Sequence, residues 1–421
     1  MEERLIVMST TLQDEQLAYL RARFPQFTFK SYGRLEMPPI DELERCEVLF
    51  CYGGGNLIPH LKNCRFIHNM GAGVDGLIPI IDKYLGADFP FSNGRGMYNV
   101  TLGEHTLGLL LTSLRGLDDC SRNMTEGKWE VYPVHGEIFG STVLILGAGD
   151  IGTHTAKAIC GFAPKRIIGY KRTPCEPFGP YDEIITTQEE LDAALAVSDY
   201  ILICLPGGKF TKGLIDRRRL TEVIKPGAGL VNIGRGAIVD TEAMMDALRS
   251  GRLIFAAMDV TDPEPLPPDH PLWKMKNVLI SPHYAGLYAN LQRHAVWFEE
   301  NLNAFLESKP IPGAVHHDWL YYPHPQKIHA GCRGLSPLPG LGSDQRPLRS
   351  SPRRSAPKKT QAHERQRRNV CAPLAVTPPP YHNTKNPRRN ISGEGFSHIK
   401  HTTRTTSCTL HKTSRRPIAY N

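Results

Sequence analysis

Four side chains with complementary chemistry stand just beyond apolar runs in this 421-residue chain. Arg235 follows Leu230 to Ile233, Asp259 closes Ile254 to Val260, Glu264 comes shortly after, and His283 follows Val278 to Ile280. In an open parallel sheet, ligands bind beyond the carboxyl ends of the strands, so residues so placed share one rim. Each type has a role in reducing a 2-keto acid. Arg235 can fork onto a carboxylate and polarise the keto oxygen. His283, as imidazolium, can give a proton to that oxygen as hydride reaches carbon. Glu264 can orient the imidazole and favour its charged form. Asp259 can hydrogen-bond a nicotinamide carboxamide. Singly, a surface Arg, a capping carboxylate or a core His explains each; four on one rim form a constellation.

A hydride donor needs a dinucleotide site. Ser141 to Tyr170 reads strand, glycine turn, helix, strand, with Gly147-Ala-Gly149-Asp-Ile-Gly152 where the first strand should end. That context fits a dinucleotide fingerprint, with the pyrophosphate at a helix N-terminus. The cofactor set is read as Gly147, Gly149, Asp150, Ile151, Gly152, Lys171, Arg172, Pro206, Ile233, Asp259 and Gly286. A second glycine motif, Gly71-Ala-Gly73-Val-Asp-Gly76, has no clear βαβ unit after it and reads as a different loop.

The elements that must carry these residues follow from apolar patterning. Near-continuous apolar runs alternate with helical segments from Thr142 onward: Thr142 to Leu146, Ile167 to Tyr170, Tyr200 to Leu205, Leu230 to Ile233, Ile254 to Val260 and Val278 to Ile280. This predicts a doubly wound parallel sheet in an α/β fold. Before it, strands at Leu5 to Met8 and Val48 to Tyr52 and a helix at Leu12 to Phe24 suggest a smaller α/β lobe. Asn93 to Gly96 is a turn cluster and a candidate hinge. Thr101-Leu-Gly-Glu104 has the capping-box form and is expected to open a long helix. Glu104-His105 could be an acid–base pair, but capping explains Glu104 more simply. A last helix spans Tyr288 to Lys309.

Charge is unevenly spread. The chain is +8 overall, but Lys327 to Asn421 holds 19 Lys+Arg against 3 Asp+Glu, so this stretch is +16 and the remainder −8. Pro, Ser, Arg, Thr and His dominate there and apolar periodicity vanishes, as in a disordered extension or a shifted reading frame. The N-terminus, MEERLIVMS, does not read as a signal peptide. No run is long enough to cross a membrane. The ten cysteines show no metal-ligand spacing and read as reduced thiols of a cytoplasmic protein, and no metal is expected.

Several runs together resemble the D-isomer-specific 2-hydroxyacid dehydrogenases: NMGAGVDGL (Asn69 to Leu77), Gly127-Lys-Trp129, YILICLP (Tyr200 to Pro206), GLVNIGRGAIVD (Gly229 to Asp240), MDVTDPEPLPPDHPLW (Met258 to Trp273) and NVLISPHYAG (Asn277 to Gly286). The resemblance covers roughly Leu5 to Leu320. It implies a catalytic triad of Arg235, Glu264 and His283. It implies that Gly71, Ala72, Gly73 and Val74 offer backbone amides to a substrate carboxylate. It also implies two Rossmann-like or flavodoxin-like lobes, a homodimer, and a discontinuous substrate domain (1–97 with 287–325) around a dinucleotide-binding domain (98–286). Glyoxylate and hydroxypyruvate are the expected substrates, giving a D-2-hydroxy acid. A phosphorylated acid is less favoured: it would want extra cations near the substrate loop, for which Lys62 and Arg65 are weak candidates.

One departure bears on the cofactor. NAD-preferring members of that family carry an acid at the end of the second strand, where this chain has Tyr170-Lys171-Arg172-Thr173. Two cations there predict NADP(H) in preference to NAD(H). A short-chain dehydrogenase is excluded, because its Tyr-x-x-x-Lys pattern occurs only at Tyr381 to Lys385, far from the glycine motif. The alternative from another class is a nucleotide-sensing co-repressor of the same fold, with nucleic acid contacted by the basic tail alone.

Overall fold

The structure, a computed structural model, describes residues 3–10, 12–131, 134–287 and 290–317. The basic stretch from Lys327, including Tyr381 and Lys385, lies outside the described residues. The strands are β1 (Leu5–Ser9), β2 (Thr28–Tyr32), β3 (Val48–Cys51), β4 (Phe66–Asn69), β5 (Phe91–Asn93), β6 (Thr142–Leu146), β7 (Arg166–Tyr170), β8 (Glu183–Ile185), β9 (Tyr200–Ile203), β10 (Ala228–Asn232), β11 (Leu253–Met258) and β12 (Val278–Ile280). The α-helices are α1 (Asp14–Arg23), α2 (Ile40–Arg45), α3 (Ile78–Tyr84), α4 (Asn99–Arg115), α5 (Leu117–Glu126), α6 (Asp150–Cys160), α7 (Gln188–Leu195), α8 (Thr241–Arg249) and α9 (Leu291–Leu306).

The strands form two sheets, parallel throughout, ordered β2-β1-β3-β4-β5 and β12-β11-β10-β9-β6-β7-β8. Both are doubly wound, and each reverses its winding at one point: between β1 and β3 in the first sheet, between β6 and β9 in the second. Those points open crevices for ligands. The apolar runs are continuous because helices cover both faces: β3, β9 and β10 have no exposed residue.

The last helix returns to the first sheet. Ala295, Phe298 and Leu302 of α9 are fully buried against Ile6, Met8, Val48 and Phe50. Phe298 stacks on Phe50 with ring centroids 4.3 Å apart. Burying such a side chain contributes about 1.5–3 kcal/mol, which is what carries the chain back across the molecule. Asn290 caps this helix through its side chain, from Arg293 N–H at 3.2 Å, so it starts at Leu291 rather than at Tyr288.

The start of α4 differs from the sequence expectation. Thr101 does not cap the helix, which already begins at Asn99, and the Thr101 hydroxyl donates back to the Tyr98 carbonyl at 3.2 Å. Glu104 therefore sits inside the helix. Strands β2, β5 and β8 carry short or half-exposed sequences whose apolar signal is too weak to mark them.

Candidate active site

The glycine turn after β6 lies at the switch point. Gly147 adopts φ +109°, a conformation that disfavours any side chain. A Cβ there would also lie 2.9 Å from the Cys204 carbonyl carbon beyond β9. Gly147 and Ala148 donate their N–H groups to the Tyr170 carbonyl at 2.9 and 3.0 Å, tying the turn to the end of β7. At Gly152 a Cβ would meet the Gly147 carbonyl oxygen at 2.1 Å, so only glycine lets α6 pack this close. Gly149 faces open space and heads α6, with Asp150 and Ile151 in its first turn. This shape fits a pyrophosphate: open room over the turn, and the free N–H groups of a helix N-terminus. Lys171 follows Tyr170 directly and stands over the Phe178 ring at 5.2 Å, with its Nζ 3.6 Å from Cys175 Sγ. Arg172, beside it, is exposed.

The loop after β4 is built differently. The Asn69 side chain donates to the Gly71 and Gly73 carbonyls at 2.8 and 3.3 Å, and Asn93 donates to the Ala72 carbonyl at 2.7 Å. With its carbonyls held by these two amides, the loop has N–H groups to spare. Those of Gly73 and Val74 have no hydrogen-bond partner among the described residues. The Val74 side chain itself is buried in the first lobe, leaving only its backbone for a ligand. Asn69 and Asn93 are buried, and their hold on the loop carbonyls is not readable from the sequence runs they open.

Arg235 points at this loop from the other sheet. Its Nη2 and Nε reach Asp75 Oδ1 and Oδ2 at 2.9 and 3.2 Å. Buried Asn232 shapes its turn, donating to the Arg235 carbonyl at 2.9 Å and accepting from Gly234 N–H at 3.0 Å. A Cβ at Gly207 would come within 3.1 Å of both Arg235 Cγ and Asp75 Oδ2. The absence of a larger residue after Pro206 thus leaves room for the fork. Burial pushes the Asp75 carboxyl up, but Arg235 outweighs it and holds it below the usual carboxylate range.

His283 Nδ1 lies 2.5 Å from Glu264 Oε1. Hydrogen bonding to Glu264 raises the imidazole pKa, against burial and the nearby Arg235 charge. Burial alone would lift the Glu264 carboxyl; His283 brings it below its ordinary value. His283 has φ +49°, uncommon for a side-chain-bearing residue and costing roughly 1–2 kcal/mol. Asp259 is spent largely within the protein: its carboxylate accepts Ser281 Oγ–H at 2.6 Å, Tyr284 N–H at 3.2 Å and Ala285 N–H at 3.1 Å. A carboxamide contact would have to be added to these. Ile233 is buried at the end of β10, and Gly286 packs on the Tyr98 ring. Lys62 and Arg65 lie away from this rim, at the amino end of β4, paired with Glu44 and Glu47.

His105 belongs to this neighbourhood, although its sequence context gave it no role. Its Nε2 is 3.1 Å from Ser281 Oγ. The signal was its place on α4, two residues beyond Gly103, whose bare Cα packs against α6.

The chain is similar to proteins of one known family. Residues 107–285 match the family described as D-isomer specific 2-hydroxyacid dehydrogenase, NAD binding domain. A glyoxylate reductase from Thermofilum pendens is 35% identical over 250 residues, covering 55% of this chain and 72% of that protein. A D-3-phosphoglycerate dehydrogenase from Archaeoglobus fulgidus is 28% identical over 319 residues, covering 74% of this chain but only 59% of that protein. A crystal structure of a D-isomer specific 2-hydroxyacid dehydrogenase family protein from Aeromonas salmonicida superposes with a TM-score of 0.66 at 26% identity, over 75% of this chain and all of the other.

Proposed function

This chain belongs to the D-isomer-specific 2-hydroxyacid dehydrogenases, oxidoreductases acting on CH–OH groups with a nicotinamide cofactor, and we propose that it reduces a small 2-keto acid of the glyoxylate or hydroxypyruvate type with NADPH. The observation that carries this reading is the His283–Glu264 pair, electrostatically close to Arg235, on the rim shared with the glycine turn. The bound nicotinamide supplies the hydride. Arg235 and the Gly73 and Val74 amides hold the substrate carboxylate, which fixes the keto carbon. The His283 imidazolium gives its proton to the keto oxygen, and Glu264 keeps that imidazole charged until then. Approach of the two lobes around the acid excludes water from the transfer.

Lys171 and Arg172 support NADPH over NADH, since both follow the strand end that abuts the glycine turn. The paired state of Lys62 and Arg65 speaks against a phosphorylated acid. We place a second copy of the chain on the apolar surface around α5, where Leu117, Met124, Trp129, Val131 and Phe139 are exposed. Trp129→Glu with Met124→Glu should convert a dimer to a monomer in sedimentation experiments. Among the described residues, no helix is long and apolar enough to cross a membrane.

The test is oxidation of NADPH and NADH across a panel of 2-keto acids, with wild type and His283→Ala. Turnover that collapses in the variant supports the reading. Tight dinucleotide binding without turnover on any acid would transfer support to a nucleotide-sensing co-repressor.

A further inference from the structure

The turn that carries His283 is held by a residue of helix α4, which is itself part of neither the glycine turn nor the substrate loop. His105, on α4, is mostly buried, with Nε2 3.1 Å from Ser281 Oγ and 3.5 Å from Asp259 Oδ1. Ser281 donates to the same Oδ1 at 2.6 Å. The Asp259 carboxylate then holds the N–H groups of Tyr284 and Ala285, and its main-chain carbonyl takes the His283 N–H at 2.8 Å. The Tyr284 ring stands edge-on to the His105 imidazole at 5.2 Å. At φ +49°, His283 occupies a backbone region it would not choose alone, so this set of bonds is what keeps it there.

We propose that His105 is a positioning residue for the proton transfer: through Ser281 and Asp259 it fixes the turn 281–285, and so the contact between His283 and Glu264. The proposal rests on the reductase reading above. Helix α4 is suited to the task, because it is anchored at both sides of the cleft. Tyr98, at its start, donates its hydroxyl to the Met70 carbonyl just before the substrate loop, at 3.0 Å. At Gly103 a Cβ would lie 3.3 Å from Thr155 N, so α4 and α6 are in close contact. The titratable groups around Asp259 are His105 from α4, His283 from the turn itself, and Tyr284 against the His105 ring. Burial works against the Asp259 charge, and the bonds from His105 and Ser281 overcome it, so losing His105 weakens the carboxylate that organises the turn.

The alternative is that His105 merely packs. A packing defect lowers activity evenly across pH; a displaced His283 changes the profile. His105→Ala should lower kcat by about 10- to 100-fold, the scale of a misplaced reacting group. It should also shift the alkaline limb of kcat/KM to lower pH, since the loosened Glu264 contact no longer keeps the imidazole charged. His105→Gln keeps a side-chain N–H donor and should restore most of both. An unchanged pH profile in His105→Ala overturns the proposal, whatever its turnover. Titration of the His283 ring by proton–carbon NMR reads the same quantity without turnover, with His283→Asn assigning the resonance. A lower midpoint in His105→Ala supports the proposal, and an unmoved one overturns it. If the midpoint moves but wild type reduces no 2-keto acid, the reductase reading alone falls.

Discussion

Asp75 and Arg235 come from loops of different sheets and meet as a two-pronged pair, at 2.9 and 3.2 Å. The guanidinium assigned to the substrate carboxylate is already engaged by a carboxylate of the chain. Substrate must share or displace it. Both side chains are part-exposed, so the pair contributes about 1 kcal/mol or less. Asp75→Asn should therefore lower KM for the 2-keto acid by roughly two- to fivefold. Arg235→Lys keeps the charge but loses the fork, and kcat/KM should fall by roughly 10- to 100-fold, as for a charged hydrogen bond of about 1.5–3 kcal/mol. Initial-rate kinetics decide; a KM that rises in Asp75→Asn would sink the competition argument.

The Glu264 contact raises the His283 pKa, and this sets the sign of the pH dependence. Reduction needs the imidazolium. Its kcat/KM is thus sustained below the raised pKa and lost as pH climbs through it. Oxidation of the hydroxy acid needs the neutral ring and shows the opposite trend. Glu264→Gln should move the alkaline limb of reduction to lower pH and lower kcat. His283→Ala should cost about 10²–10⁴-fold, the span of a general acid. A limb in Glu264→Gln that coincides with wild type would separate Glu264 from the proton donor.

Lys171 leaves β7 beside the glycine turn, and no carboxylate follows it in Arg172-Thr173. Replacing both cations (Lys171→Ala with Arg172→Ala) should raise KM for NADPH by on the order of tenfold or more, at about 1.5–3 kcal/mol per charged hydrogen bond. NADH should be little affected. Equal losses with both cofactors would mean that the cations act on the loop and not on a 2′-phosphate.

Much of this site was legible because β strands buried on both faces announce themselves, and the residues just past their carboxyl ends must lie on one rim. Arg235, Glu264, His283 and the glycine turn stand out that way. The rest depends on contacts between distant segments. Asn69 and Asn93 act by turning carbonyls inward, which no spacing reveals. Thr101 and Glu104 imitate a capping box and so hide His105, yet the helix starts at Asn99 and that box never forms. Gly207 is informative only beside the Asp75–Arg235 fork. Short strands such as β8 arise from pairing with β7 rather than from their own sequence.

The docking of α9 carries a cost at low pH. His294 on that helix and His68 on β4 are fully buried; among the described residues neither His294 nitrogen has a hydrogen-bond partner, nor does His68 Nε2. Burial pushes His294 down to about 4; burial, with His294 nearby, pushes His68 down to about 3. In the unfolded chain both titrate near pH 6.5. Between those values the unfolded state binds more protons, so stability is complete above about pH 6.5 and falls as pH drops, by about 1.4 kcal/mol per pH unit for each histidine. His294→Phe loses no hydrogen bond and keeps an aromatic ring beside Tyr98, 5.0 Å away. It should make the protein less sensitive to acid. Urea unfolding at about pH 7 and about pH 5 measures this, and the stability lost between them should shrink by roughly 2 kcal/mol in the variant. An identical loss in both proteins would mean that the buried ring is charged or solvated in the fold, and that the acid sensitivity of α9 arises elsewhere.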